Sequence, residues 1–165
     1  MVSLALAEGL RTRFRLVMVN DDDDQIAGLL QRDRFVLGLS DAGAHATQLC
    51  DANFSTYLLS HWVRDRRDLT LEQAVWRMTG HPAQVFGLPD RGRLAPGLAA
   101  DLVAFDPDTV ASGELERVWD FPAGTDRLVA RSTGIERVWV GGQEVLVAGE
   151  LVEGARPGRL LRASS

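Results

Sequence analysis

Lysine is absent: all eighteen basic residues are arginine. That excludes a Schiff-base lysine and a lysine that bridges two metal ions. Cysteine is nearly absent. Cys50 stands alone, so the chain has neither an internal disulfide nor a cysteine-rich zinc site. A lone thiol fits a reducing compartment, and the expected localisation is cytoplasmic. No apolar run approaches the ~20 residues of a membrane span, so no membrane partner is expected. Basic runs are also missing, and the net charge is −5, so nucleic acid is not an expected partner. The opening Met1–Leu10 is mildly apolar but contains Glu8 and no basic residue, so a secretory leader is not expected. Histidine is scarce, with only His45, His61 and His81.

What is present suffices for a core. The 165 residues are 45% hydrophobic, enough for one ordinary domain or for part of a larger one. Phe35–Leu39 is a short apolar run that stops at Ser40-Asp41, passes through small residues and reaches His45. A continuous apolar run bounded by turn residues reads as a strand buried on both faces, as in a parallel sheet. An aspartate at the C-terminal end of such a strand sits where α/β barrels place their chemistry. The same aspartate also suits a helix cap or a loop bonded to its own backbone, and these residues leave both readings open. Upstream, Phe14–Val19 reads as a strand. Asp21–Asp24 then opens a helix carrying Ile26, Leu29 and Leu30, with acids suited to its N-terminus. Four consecutive acids lack the alternating spacing of a calcium loop. Strand, helix, strand in this order implies a parallel pair with a right-handed crossover.

Downstream, helical spacing recurs. Asn53–Arg66 places Phe54, Leu58, His61 and Trp62 on one face. Thr70 and Gln73 form a capping box for a helix that runs through Ala74, Val75 and Met78 to Gly80. His81-Pro82 begins a third helix, which ends at Gly87. From Pro89 the chain becomes glycine-rich and β-like. Asp101–Phe105 reads as a strand. Ile135–Val140 and Gln143–Val147 flank Gly141-Gly142, a hairpin signal. Leu151-Val152 and Leu160-Leu161 read as further short strands. The expected division is 1–90, α/β, and 91–165, β. Neither part closes a sheet by itself, so the chain reads as a fragment or as a protomer of an oligomer.

With these elements placed, a resemblance emerges. Leu39-Ser40-Asp41-Ala42-Gly43-Ala44-His45 resembles the last barrel strand of amidohydrolase-superfamily enzymes, in particular the N-acyl-D-amino-acid deacylase (D-aminoacylase) branch. Thr79-Gly80-His81-Pro82-Ala83-Gln84-Val85-Phe86-Gly87-Leu88 continues the likeness. So does Arg91-Gly92-Arg93-Leu94-Ala95-Pro96-Gly97-Leu98-Ala99-Ala100-Asp101-Leu102-Val103-Ala104-Phe105-Asp106, where such enzymes leave the barrel for a small β domain. Residues 134–142 and 154–162 resemble the D-aminoacylase tail. The resemblance implies an α/β fold: the C-terminal βα units of a TIM-like (β/α)8 metallo-hydrolase barrel, followed by part of a small β-sandwich domain. It implies zinc as cofactor and a small N-acyl amino acid as substrate, hydrolysed to a carboxylate and a D-amino acid. Asp41 matches the family's strand-eight aspartate, which lies against the metal and shuttles a proton.

The departures are equally informative. The family's His-x-His pair and its other metal ligands are not in this sequence. His45 is a candidate for lining the substrate pocket. His61 shares a helix face with Tyr57 and reads as packing, His81 as a structural hydrogen bond, and Cys50 as packing. Arg64, Arg66 and Arg67 suit either a substrate carboxylate or a solvated helix end. Two other functions stay open at this level: a cyclic-amide hydrolase of the hydantoinase or dihydropyrimidinase type, and a non-catalytic piece that serves only in assembly.

Overall fold

The computed structural model describes residues 1–14, 17, 19–38, 40 and 42–161. Helix α1 (Val2–Ala7) buries none of its residues. Helix α2 (Asp23–Leu30) starts where the acidic run predicts. Asp22 Oδ1 accepts the backbone N–H groups of Asp24 at 3.1 Å and Gln25 at 3.0 Å. This satisfies two donors that a helix start otherwise leaves free.

Helix α3 (Phe54–Tyr57) runs directly into a π-helical segment, Leu58–Asp65. The wider coil is visible where Arg66 N–H reaches back five residues to the His61 carbonyl at 2.8 Å. This segment buries Leu58, Leu59, Ser60 and Trp62. Helix α4 (Leu71–Met78) carries the expected capping box. Thr70 Oγ1 accepts from Gln73 N at 3.2 Å, and Gln73 Oε1 accepts from Thr70 N at 2.8 Å. Helix α5 (Gly80–Val85) follows at once. The core gathers Ala27, Leu58, Leu59, Trp62, Leu69 and Ala74, closed from the β side by Val110. Arg77 of α4 is 3% exposed and donates to the Phe35 carbonyl at 2.7 Å and to Asp33 Oδ1 at 3.1 Å. It thereby ties the Asp33–Phe35 turn to the helical layer.

Among the described residues six strands follow: β1 (Leu102–Phe105), β2 (Ala111–Val118), β3 (Arg127–Thr133), β4 (Ile135–Val140), β5 (Gln143–Val147) and β6 (Glu150–Leu151). One antiparallel sheet has the order β1-β4-β5-β6, and β2 and β3 form a separate antiparallel ribbon. In the first sheet Val138 pairs with Val103 on one side and Leu146 on the other. Gly141 and Gly142 have φ of +57° and +82°, the double positive φ of a type I′ turn. A β-branched residue fits that conformation poorly. Gly141→Val is therefore expected to lower stability by more than roughly 1 kcal/mol, measured as a shifted urea or thermal midpoint. An unchanged midpoint would remove the turn's role in register.

Three expectations are corrected. Of the expected strands Phe14–Val19 and Phe35–Leu39, the described residues 14, 17, 19 and 35–38 form no ladder, and Arg15, Leu16, Met18 and Leu39 lie outside the described residues. A parallel strand must hand its backbone groups to neighbours on both sides. Here Phe14, Val17, Val19 and Phe35 are exposed instead. Leu160-Leu161 adds no strand either. In the other direction, the β2–β3 ribbon forms without having been expected. Among the described residues, no helix is long and apolar enough to cross a membrane.

Candidate functional site

Asp41 itself lies outside the described residues, so the site is built from its sequence neighbours. Ser40 Oγ accepts the Ala42 N–H at 3.3 Å. The chain then turns continuously through 42–48, with His45 at φ +48°. The His45 carbonyl accepts from Gln48 N at 2.7 Å and from Leu49 N at 3.2 Å. The His45 side chain is exposed, which leaves it open to a ligand.

This loop is held from outside. Leu128 N–H on β3 donates to the Ala46 carbonyl at 2.8 Å. Arg13 and Arg117 each donate to the Thr47 carbonyl at 3.1 Å. Both guanidiniums also reach the Asp126 carboxylate, Arg13 at 3.1 Å and Arg117 in closer contact. The hydrogen bond from Arg117, with the charge of Arg13 behind it, holds the Asp126 carboxyl below the usual carboxylate range. Sequence reasoning missed this cluster. Arg117 and Thr47 are 70 positions apart, and nothing local marks Arg13 or Asp126 as partners.

The structure does not bring the other histidines to this loop. His61 stacks on Tyr57 with ring centroids 4.7 Å apart, meets Trp62 edge-on and places Nε2 3.2 Å from Asp23 Oδ2. That is the expected packing role, with an added hydrogen-bond partner. His81 is 6% exposed and stacks on Trp76 at 4.4 Å. Its Nδ1 is buried with no hydrogen-bond partner among the described residues. Ring stacking, rather than a hydrogen bond at that nitrogen, holds it. Cys50 is half-buried and free.

Two of the three candidate arginines are occupied structurally. Arg64 donates to the Val110 carbonyl at 2.6 Å, and Arg66 binds Asp68 at 2.6 Å and Asp24 at 2.7 Å. Arg67 is exposed at φ +62°. The acidic run is similarly engaged: Asp22 caps α2, Asp23 faces His61 and Asp24 binds Arg66.

The described residues therefore do not fit a zinc centre. Among them, no group of three or more His, Cys, Asp or Glu could hold a metal ion, and catalytic zinc takes three protein ligands. The 165-residue chain is expected to retain no stoichiometric zinc after dialysis. Elemental analysis finding about one tightly held zinc per chain would overturn this.

Comparison with known proteins places this geometry. The profile of the amidohydrolase family matches residues 5–146, a span that contains the loop, α2 to α5 and the strands through most of β5. N-acyl-D-glutamate deacylase from Alcaligenes xylosoxydans xylosoxydans is 40% identical over 144 residues, covering 86% of this chain and 27% of that protein. D-aminoacylase from the same organism is 43% identical over 88 residues, covering 53% of this chain and 16% of that one. Among solved structures, N-acyl-D-glutamate deacylase from Bordetella bronchiseptica, complexed with zinc and a phosphonate inhibitor, matches with TM-score 0.65. The identity there is 40%, over 86% of this chain and 28% of that one. The chain thus spans only about a quarter of the N-acyl-D-glutamate deacylases it matches. Sequence and backbone agree over the same large share of these residues, and on that agreement the chain belongs to the amidohydrolase family.

Proposed function

We propose that this chain supplies the C-terminal part of an N-acyl-D-amino-acid deacylase: the last βα units of its barrel and part of its small β domain, divided near residue 90. The observation that carries the reading is the 40% identity to an N-acyl-D-glutamate deacylase over 86% of the chain. A solved relative of the same name adds a backbone likeness over an equal share. In this reading Phe14–Val19 and Phe35–Leu39 become parallel strands once neighbouring strands pair with them. The exposed side chains of Phe14, Val17, Val19 and Phe35, with those of Val2, Leu4 and Leu6, form the apolar surface that the rest of the barrel covers.

The reaction is hydrolysis of an N-acyl amide. Water adds to the acyl carbonyl, the C–N bond breaks, and a carboxylate and a D-amino acid leave. Asp41 takes a proton from the attacking water and returns it to the departing nitrogen, work suited to a carboxylate at a strand end. His45, exposed on the same loop, contacts the substrate. Metal ligands for this chemistry come from outside the described residues. The parent family's zinc, and Asp41 as one of its ligands, belong to the complete enzyme.

The test is a chimera. Residues 5–146 replace the matched segment of the Alcaligenes N-acyl-D-glutamate deacylase, and the product is assayed on N-acyl-D-glutamate and on neutral N-acyl-D-amino acids. Release of the D-amino acid is expected. A chimera that folds, as judged by circular dichroism, yet hydrolyses none of these substrates would overturn the reading.

A further inference from the structure

The loop 42–48 has few bonds of its own, and residues 42–45 are exposed. What restrains it comes from three distant pieces of chain. Arg13 precedes α2, Arg117 lies on β2, and Asp126 stands immediately before β3. Two guanidiniums converge on one carbonyl, Thr47, at 3.1 Å each, and both are themselves oriented by one carboxylate. The Leu128 N–H on Ala46 adds a backbone bond beside them. The Asp126 side chain is 13% exposed, so its pairs are only partly screened by water. Charge-assisted bonds of this kind fix geometry better than the loop's own turns do.

We propose that Asp126, Arg117 and Arg13 are positioning residues. Through Thr47 they splint the 42–48 loop to the β2–β3 ribbon and set where His45 meets the substrate. The catalytic consequence rests on the deacylase reading; the splint itself does not. A misplacement of about 1 Å at a reacting group can cost on the order of 10²-fold in rate, so a splint remote from the chemistry has kinetic weight.

Two measurements test this. In the 165-residue chain, Asp126→Asn is expected to speed amide hydrogen exchange at Gln48, Leu49 and Leu128 by about tenfold or more. Amides of β1, β4 and β5 should keep their rates, and Asp126→Glu should restore protection. Where Asp126→Asn also loosens that sheet, Arg13→Gln, which removes only the outer guanidinium, serves in its place. Unchanged loop exchange in the variant that keeps the sheet intact overturns the splint. In the active chimera, Asp126→Asn is expected to lower kcat about tenfold while KM stays within about twofold, with the pH profile unmoved. Loop opening without any fall in kcat overturns the positioning role. A chimera inactive before any substitution overturns the deacylase reading instead, and the exchange measurement then decides the splint.

Discussion

Asp41→Asn, placed in the active chimera, is expected to lower kcat by on the order of 10²–10⁴-fold, the usual cost of removing a general base. Asparagine keeps the size and can still bond to the loop backbone, so a role as a cap survives the change largely intact. A role as proton carrier does not, because an amide cannot accept a proton from water and pass it to the leaving nitrogen. The measurement therefore separates the two readings that the sequence leaves open. Near-normal turnover on N-acyl-D-glutamate would make Asp41 a structural residue. A fall in kcat with an unchanged thermal midpoint would place it in the chemistry. Loss of both together would show that the side chain is needed for folding first.

Gly134→Ala is expected to be the most damaging small substitution in the β part, lowering stability by roughly 3 kcal/mol or more. Gly134 joins β3 to β4 at φ +70°. A Cβ added there would stand 2.4 Å from the Val110 backbone nitrogen, 2.5 Å from Val110 Cα and 2.7 Å from the Thr109 carbonyl carbon. None of those atoms is the end of a flexible side chain. Val110 is 1% exposed and closes the helical core, and its carbonyl accepts from Arg64. The Gly134 carbonyl also receives the Asp106 N–H at 2.9 Å. Moving this corner apart strains both layers at once. For a chain of this size, 3 kcal/mol corresponds to roughly 6–12 °C in Tm. Gly141→Ala is the control: it has a positive φ of +57° with nothing within 4 Å of the added Cβ. It should cost only about 1 kcal/mol. Equal shifts for the two variants would show that the contact with Val110 is not the cause.

Some of this molecule follows from neighbouring residues alone. The Asp22 cap, the Thr70–Gln73 capping box and the Gly141-Gly142 turn all form where expected. Each depends on groups within four positions of one another, or on a φ that glycine adopts freely. Strands β1, β4 and β5 were legible because they are short runs of strand-type apolar residues, and two of them are joined by that turn. The family, too, was legible, through motifs whose order and spacing survive along the chain.

Other features were settled only by tertiary structure. The apolar runs at 14–19 and 35–39 have strand composition, but a ladder needs partner backbones, and the described residues 14, 17, 19 and 35–38 pair with none. Strand β2 shows the converse. Ala111–Val118 contains Gly113, Glu114 and Glu116 and has no clean alternation, yet it pairs with β3 across a bulge between Ser112 and Leu115. The hydrogen-bonding partner, rather than propensity, makes it a strand. The support of the candidate site follows the same rule. Ser40-Asp41 and His45 stand out in the sequence because their chemistry is local to one loop. Arg13, Arg117 and Asp126 do not, because an ion pair and a shared carbonyl are properties of positions brought together by folding. Neighbouring residues alone set the caps and the tight turn; which carboxylate and which arginines hold the 42–48 loop depended on folding, since electrostatic contacts act through space and leave no period in the chain.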